Sequence, residues 1–150
     1  MKLKSIETFT TQDVGFVRVT ADDGSQGWGQ VSTYHADITV QVLHRQVAPW
    51  TLGKDTTDLD ALLDFVTDRE HKFPGSYLCR ALAGLDTAIW DWRGKDQGKP
   101  VAALLGGSAG PLRAYASSMK RDITPKDEAA RLKHLRDTQG FDAFKVRAGS

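Results

Sequence analysis

The 150-residue sequence has little of several features that would place it in a special class of protein. Its one cysteine, Cys79, excludes an internal disulfide and gives no sign of secretion. No apolar run approaches a membrane-spanning length, and the start MKLKSIETFT lacks a signal-peptide core. The net charge is +1, with acidic and basic residues well mixed, so no basic face for nucleic acid or an acidic membrane is expected. These absences predict a cytoplasmic protein with neither nucleic acid nor membrane as a partner.

The first part of the chain alternates as β-strands do. Strands are predicted over residues 3–10, 14–20 and 28–32, where β-branched and aromatic residues are frequent. Asp23-Gly24 lies between the second and third strands and is typical of a hairpin turn. The sequence therefore predicts a three-stranded antiparallel meander over residues 2–32.

Beyond this meander, apolar residues recur every three or four positions, as in helices. Helices are predicted over residues 36–50, 57–70 and 77–95. The first is expected to end at Pro49 and to place Ile38, Val42 and Leu43 on one face.

A third pattern begins at residue 112. Residues 112–118 and 143–149 are typical of short strands, and they flank a helix that Thr124 caps and Gly140 ends. A strand, a helix and a strand at this spacing predict a βαβ unit with parallel strands. Because one such unit cannot cover both faces of a parallel sheet, further chain is expected after Ser150.

Two stretches resemble a known family. RALAGLDTAIWDWRGKDQGKPVAALLGG, residues 80–107, resembles the signature helix of the mandelate racemase/muconate lactonizing enzymes in the enolase superfamily. GFDAFKVRAG, residues 140–149, is similar to the second barrel strand of that family, which carries a Lys-x-Lys pair. The resemblance covers almost the whole chain in the family's order.

The resemblance implies an α+β capping domain, made of the meander and the helical block, over residues 1–110. Residues 111–150 would then be the first strand, helix and second strand of a (β/α) TIM-like barrel that looks truncated. The family also implies an enzyme that uses Mg²⁺, with metal ligands beyond residue 150, and that forms a homo-oligomer. The 150-residue piece alone is expected to be inactive.

Family members remove the proton α to a carboxylate, and bound magnesium stabilises the resulting enediolate. The resemblance places Lys145 at the first position of the Lys-x-Lys pair, where it would neutralise the substrate carboxylate. Arg147 stands at the second position and departs from the pattern, because arginine stays protonated and is a poor base. Arg147 is expected to clamp a carboxylate or the enediolate. The base is then Lys145, with its pKa lowered by the guanidinium, or a later His, which is favoured.

Two loops of the capping domain are expected to cover the substrate. The first, about Thr11 to Gly15, is short and leaves room for an extended polar molecule. In the second, Thr33, Tyr34 and His35 could hydrogen-bond substrate hydroxyl groups. Both features favour a dehydratase whose substrate is a sugar acid, a small carboxylate. A racemase, epimerase or cycloisomerase of the same superfamily is the alternative, or a non-catalytic capping or assembly module if the chain ends at residue 150.

Taken alone, the same residues also permit simpler interpretations. Lys145 and Arg147 could lie on the solvated face of an edge strand, and Tyr34 and His35 could be ordinary loop residues. Cys79 borders the apolar stripe of its helix and is expected to be an inert core thiol.

Overall fold

Three antiparallel strands form the sheet at the start of the chain. In the computed structural model, which describes residues 2–147, they are β1 (Leu3–Thr10), β2 (Gly15–Ala21) and β3 (Gln26–Gln30), in that order. The meander predicted from the sequence is confirmed, although its third strand begins earlier than residue 28.

The turn between β2 and β3 accounts for this early start. Gly24 has a φ of 87°, and its N–H donates to the Ala21 carbonyl at 3.0 Å. Ala21 N–H in turn donates to the Ser25 carbonyl at 2.9 Å. Because glycine adopts a positive φ without steric cost, the chain reverses within this turn and pairing resumes at Gln26.

The two faces of the sheet follow the period-two alternation of its strands. Leu3, Val17 and Val19 are fully buried on the inner face. Phe9, Phe16 and Trp28 remain 40–46% exposed on the other face. A meander with one apolar and one half-open face needs a single covering layer, and the helices supply it.

The chain divides into two compact units, residues 1–108 and 109–150, each described here by itself. The helices of the first unit are α1 (Ala36–Val42), α2 (Ala48–Thr51), α3 (Leu59–Arg69), α4 (Ser76–Asp96) and α5 (Val101–Leu104). A π-helical turn, Leu43–Val47, joins α1 to α2. The Asp58 side chain caps α3 by accepting from Ala61 N–H at 3.0 Å.

The prediction that Pro49 ends the first helix was wrong. Pro49 lies in the first turn of α2, where its missing N–H removes no intrahelical bond. The π-helical turn precedes it, with Ala48 N–H bonded to the Leu43 carbonyl. Ile38 was also misassigned, since it is 44% exposed. The buried residues of α1 are instead Ala36, Thr39 and Val40, and a Cβ on Gly15 would lie 3.3 Å from the Ala36 Cβ.

Helix α4 packs against β3 at backbone distance. Cβ atoms added to Gly27 and Gly29 would overlap the Ala88 and Gly84 carbonyl oxygens of the helix. The Asp91 carboxylate fastens the same contact by accepting the Trp28 N–H at 2.7 Å. The close spacing of α4 and β3 therefore requires glycine at positions 27 and 29, and the hydrogen bond from Trp28 to Asp91 stabilises it.

The second unit is a βαβ arrangement. β4 (Ala116–Ser117) and β5 (Phe144–Lys145) are parallel, and α6 (Pro125–Gln139) joins them. Thr124 caps α6 through Asp127 N–H, and Gly140 ends it with a φ of 75°. The parallel pairing is confirmed, but both strands are shorter than predicted, because within residues 2–147 each has only the other as a partner.

Within residues 2–147, no helix combines the length and the apolar character that crossing a membrane would require.

Candidate functional site

Two loops of the first unit lie side by side at one end of the sheet. They are residues 11–14, between β1 and β2, and residues 32–35, between β3 and α1; we call them the loop pair. Ala36 N–H donates to the Gln12 carbonyl at 2.9 Å, and Val31 N–H donates to the Gly15 carbonyl at 2.9 Å. The structure thus brings together the two loops that the sequence analysis selected separately.

The first loop is short and internally bonded. Thr11 N–H donates to the Val14 carbonyl at 2.7 Å, and Val14 N–H returns a bond to Thr11 Oγ1 at 3.2 Å. The Thr10 hydroxyl donates to the same Val14 carbonyl at 3.0 Å. A loop closed by three such bonds keeps one shape and extends little beyond the sheet.

The second loop carries backbone strain. Tyr34 and His35 have φ values of 64° and 58°, in the left-handed region that glycine favours. Non-glycine residues held there cost about 1–3 kcal/mol each and cluster at ligand-binding sites. The His35 carbonyl accepts from the Thr39 N–H at 3.0 Å and the Thr39 hydroxyl at 3.1 Å, which holds the strained conformation in place.

The side chains of the second loop point outward. Thr33, Tyr34 and His35 are all exposed, and Tyr34 is 74% exposed. Their side chains therefore keep free donors and acceptors for a bound molecule, although no ligand is present to assign them a role. The loop also has an anchor that sequence reasoning missed: an Arg80 guanidinium nitrogen donates to the Tyr34 carbonyl at 3.3 Å. No local sequence signal pointed to it, because the two residues are far apart in the chain.

In the second unit, Lys145 is the last residue of β5 and is exposed. Its carbonyl accepts the Ser118 N–H at 2.8 Å. Arg147 is also exposed but lies beyond the paired residues of the strand. Of the strand predicted over residues 143–149, the structure shows Phe144–Lys145, and residues 148 and 149 lie outside the described part of the chain. Within residues 2–147, neither side chain is engaged in an ion pair. Their catalytic role stays a prediction.

Two acidic residues of α4, Asp86 and Asp91, interact with neighbouring groups of the first unit. Asp91 accepts both the Trp28 N–H and, at 2.6 Å, the Lys95 ammonium. Burial raises the pKa of the Asp86 carboxyl, and a hydrogen bond from Trp90 partly offsets this effect. Asp91 is thus engaged by two donors, and Asp86 has the Asp60 carboxylate near it, whose charge also raises the pKa of Asp86.

The described residues do not fit a magnesium site. Among residues 2–147, no group of three or more His, Cys, Asp or Glu side chains is arranged to hold a metal ion. The sequence analysis placed the metal ligands outside this stretch, and the structure leaves that prediction untested. Cys79, by contrast, was misassigned to the core, because its side chain is exposed on α4.

Comparison with known proteins identifies relatives for nearly the whole chain. Residues 2–106 match the family model of the mandelate racemase/muconate lactonizing enzyme amino-terminal domain. A D-galactonate dehydratase from Ralstonia pickettii is 33% identical over 132 residues, which cover 87% of this chain and 34% of that protein. The crystal structure of a candidate racemase from Roseobacter denitrificans is 79% identical with a TM-score of 0.95, covering 100% of this chain and 41% of that one.

A third relative was solved with a metal. The structure of a mandelate racemase/muconate lactonizing protein from Paracoccus denitrificans, complexed with magnesium, is 30% identical with a TM-score of 0.83. The match covers 99% of this chain and 42% of the Paracoccus chain. The chain spans only 34–38% of the length of the curated relatives it matches first.

Proposed function

The chain belongs to the mandelate racemase/muconate lactonizing enzyme family. We propose that it is part of an enzyme that removes the proton α to the carboxylate of a sugar acid. Residues 1–110 are the capping domain in this proposal, and residues 111–150 begin the barrel. The reaction is a dehydration: a proton leaves the α carbon, hydroxide leaves the neighbouring carbon, and the enol product becomes a 2-keto acid. The observation that carries the proposal is the similarity to D-galactonate dehydratases over most of the chain.

Lys145 and Arg147 supply positive charge in this proposal. The α carbon of a carboxylate is a weak acid, so removal of its proton needs strong electrostatic stabilisation of the developing oxyanion. Lys145 lies at the carboxyl end of β5, the end at which barrel enzymes bind substrate. Arg147 follows it, and its guanidinium can hold a carboxylate through two parallel hydrogen bonds but cannot accept the proton. The base is therefore Lys145 or a residue outside this chain.

The described residues hold no magnesium site, and the proposal assigns this chain no metal ligand. Bound magnesium would supply stabilisation of the enediolate.

The loop pair suits a hydroxylated substrate. Its first loop is short, and the exposed side chains of Thr33, Tyr34 and His35 all carry hydrogen-bonding groups. A polyol chain offers several hydroxyl groups as partners, whereas an aromatic acid would leave these groups unpaired. The geometry therefore supports a sugar acid rather than an aromatic acid.

Racemisation is the second candidate, and the similarity to a candidate racemase at 79% identity favours it. A racemase must remove and return a proton on opposite faces of the α carbon. Arg147 argues against racemisation, because the second position of the Lys-x-Lys pair then holds an arginine, which cannot act as a base.

One experiment separates the two candidates. The full-length protein is incubated with a panel of acid sugars and Mg²⁺ in deuterated water, and the products are followed by NMR. A dehydratase yields a 2-keto acid that lacks one water, whereas a racemase yields the unchanged formula with deuterium at the α carbon. Failure to form a 2-keto acid from any sugar acid would reject the proposal.

The same assay tests the cations. Lys145→Met is expected to lower kcat/KM by about 100-fold or more, because it removes a charge that faces the oxyanion. Lys133→Met, a change of the same kind at an exposed position of α6, should have no effect. Equal activity of the two variants would contradict the role of Lys145.

A further inference from the structure

Glu128 is a buried carboxylate for which the proposed function gives no role. It lies in the first turn of α6 and is 9% exposed. It is not needed as a helix cap, because Asp127 and Thr124 already bond each other there. Asp127 N–H donates to Thr124 Oγ1 at 3.2 Å, and the Thr124 hydroxyl donates to Asp127 Oδ2 at 2.7 Å. The Glu128 carboxylate therefore serves something other than the helix end.

The contacts of Glu128 lead toward β4. Arg131 grips both carboxylate oxygens, with Nε 2.9 Å from Oε2 and a terminal nitrogen 2.8 Å from Oε1. The pKa of the Glu128 carboxyl is lowered, first by the hydrogen bond from Arg131 and to a smaller extent by the Ser118 side chain, which therefore lies within hydrogen-bonding reach of the carboxyl. Ser118 is only 3% exposed and follows directly after β4. The bidentate Arg131 contact fixes the Glu128 carboxylate in one orientation, next to the buried Ser118 side chain.

Ser118 in turn contacts β5, the strand that ends at Lys145. Its N–H donates to the Lys145 carbonyl at 2.8 Å. Strands β4 and β5 pair over only two positions, Ala116 with Phe144 and Ser117 with Lys145. Within the described part of the chain, the bond from Ser118 is therefore a large part of what holds the end of β5.

We propose that Glu128 is a positioning residue for Lys145 and acts on it through Ser118. The proposal rests on the proposed function, in which Lys145 faces the substrate carboxylate. Lys145 itself is exposed and is the last residue of a two-residue strand. A displacement of about 1 Å at a catalytic group can cost about 100-fold in rate. A buried and doubly anchored carboxylate keeps the strand end where the lysine is needed.

The kinetic test uses the full-length protein and a matched pair of variants. Glu128→Ala is expected to lower kcat by about 10- to 100-fold. KM should change by much less, because a misplaced lysine loses mainly contacts that strengthen in the transition state. Asp137→Ala removes another arginine-paired carboxylate from the same helix, at an exposed position, and should leave kcat unchanged. Glu128→Gln keeps an acceptor for Ser118 and should recover part of the rate.

A second measurement does not depend on activity. Amide hydrogen exchange of the Ser118 N–H should become about tenfold faster in Glu128→Ala, since its partner strand end is less well held. The Ala116 N–H, which donates to the Ala143 carbonyl at 3.0 Å, should change much less and is the internal control. If Glu128→Ala does not fold, Glu128→Gln and Ser118→Ala are compared in its place.

The two measurements separate this inference from the proposed function. Unchanged exchange at Ser118, or a kcat that falls as much in Asp137→Ala as in Glu128→Ala, would overturn the positioning role. An inactive wild-type protein on every sugar acid would reject the proposed function alone. In that case faster exchange at Ser118 still supports the link from Glu128 to Lys145.

Discussion

At the scale of single residues, the position of Arg147 restricts the chemistry more than any other observation. A guanidinium in place of the second lysine can bind and stabilise an anion, but it cannot take up a proton at ordinary pH. If Arg147 faces the substrate as proposed, the second position of the Lys-x-Lys pair supplies no base, and the base must be Lys145 or a residue outside this chain. A reaction that needs a base on one face, such as dehydration, tolerates this better than racemisation does.

Asp86 provides a test of electrostatics in the first unit. Its pKa is raised, first by burial and to a smaller extent by the nearby Asp60 carboxylate. Since the folded pKa lies above the unfolded value, the contribution of Asp86 to stability is present below the ordinary value of 3.8 and is lost as pH rises through the folded pKa. Asp86→Asn, which does not ionise, is therefore expected to raise Tm at pH 7.

Measuring the Tm gain of Asp86→Asn at several pH values tests whether the charge of Asp86 causes it. The gain from Asp86→Asn should shrink as the pH falls from 7 toward 4, as followed by thermal unfolding in the far-ultraviolet circular dichroism signal. Asp96→Asn, on the exposed end of the same helix, is the control and should give no such trend. A loss of Tm that is equal at both pH values would show that hydrogen bonding, not charge, dominates at Asp86.

At the scale of secondary-structure elements, the contact of β3 with α4 is the most demanding feature of the first unit. A Cβ on Gly29 would overlap the Gly84 carbonyl oxygen and also crowd Thr87. Both neighbours belong to a helix that is fixed by a buried face of its own, so they have little freedom to move. Gly29→Ala is expected to destabilise the protein by about 1–3 kcal/mol, as overpacked sites do.

Urea unfolding measures this cost directly. Gly110→Ala is the matched control, because nothing lies within 4 Å of a Cβ built there, and its backbone does not need glycine. It should leave the midpoint nearly unchanged. Equal midpoints for Gly29→Ala and the wild type would show that α4 can shift away from the strand.

The elements that could be predicted from sequence are those fixed by local patterns. Alternation gave the meander, three- and four-residue spacing gave α3 and α4, and the capping residues gave both ends of α6. The errors arose where distant contacts decide. Ile38 is exposed because α1 buries Ala36, Thr39 and Val40 instead, and β5 pairs with β4 over only two positions.

The candidate site shows the same division. The loop residues and the two cations could be selected from the sequence, because a family resemblance marked their positions. The contact between the loops, the left-handed backbone at Tyr34 and His35, and the link from Glu128 to Lys145 could not. Each depends on hydrogen bonds between residues that no sequence period relates.

At the scale of the whole chain, the two units differ in how much they bury. The first has a continuous apolar core that includes Leu43, Leu85 and Ile89. In the second, the buried residues among positions 109–147 are Ala116, Ser118 and Glu128, while Leu112 is 93% and Met119 74% exposed. Buried apolar area is the main source of stability, so the second unit should open far more readily.

Amide hydrogen exchange of the 150-residue chain tests this difference. Amides of α4 and the sheet should exchange slowly, and those of α6 much faster, although both helices have intact internal hydrogen bonds. The matched comparison is between the central turns of the two helices in one sample. Comparable protection of α6 and α4 would mean that the second unit has support other than its own core.

The bond between Ala36 and Gln12 also has a consequence for motion. Each loop of the pair is anchored at its base, the first by its own three bonds and the second by the start of α1. A motion that separates the two loops must break the hydrogen bond between Ala36 and Gln12. The pair should therefore move as one rigid flap, so that relaxation experiments on either loop would report a single shared rate constant.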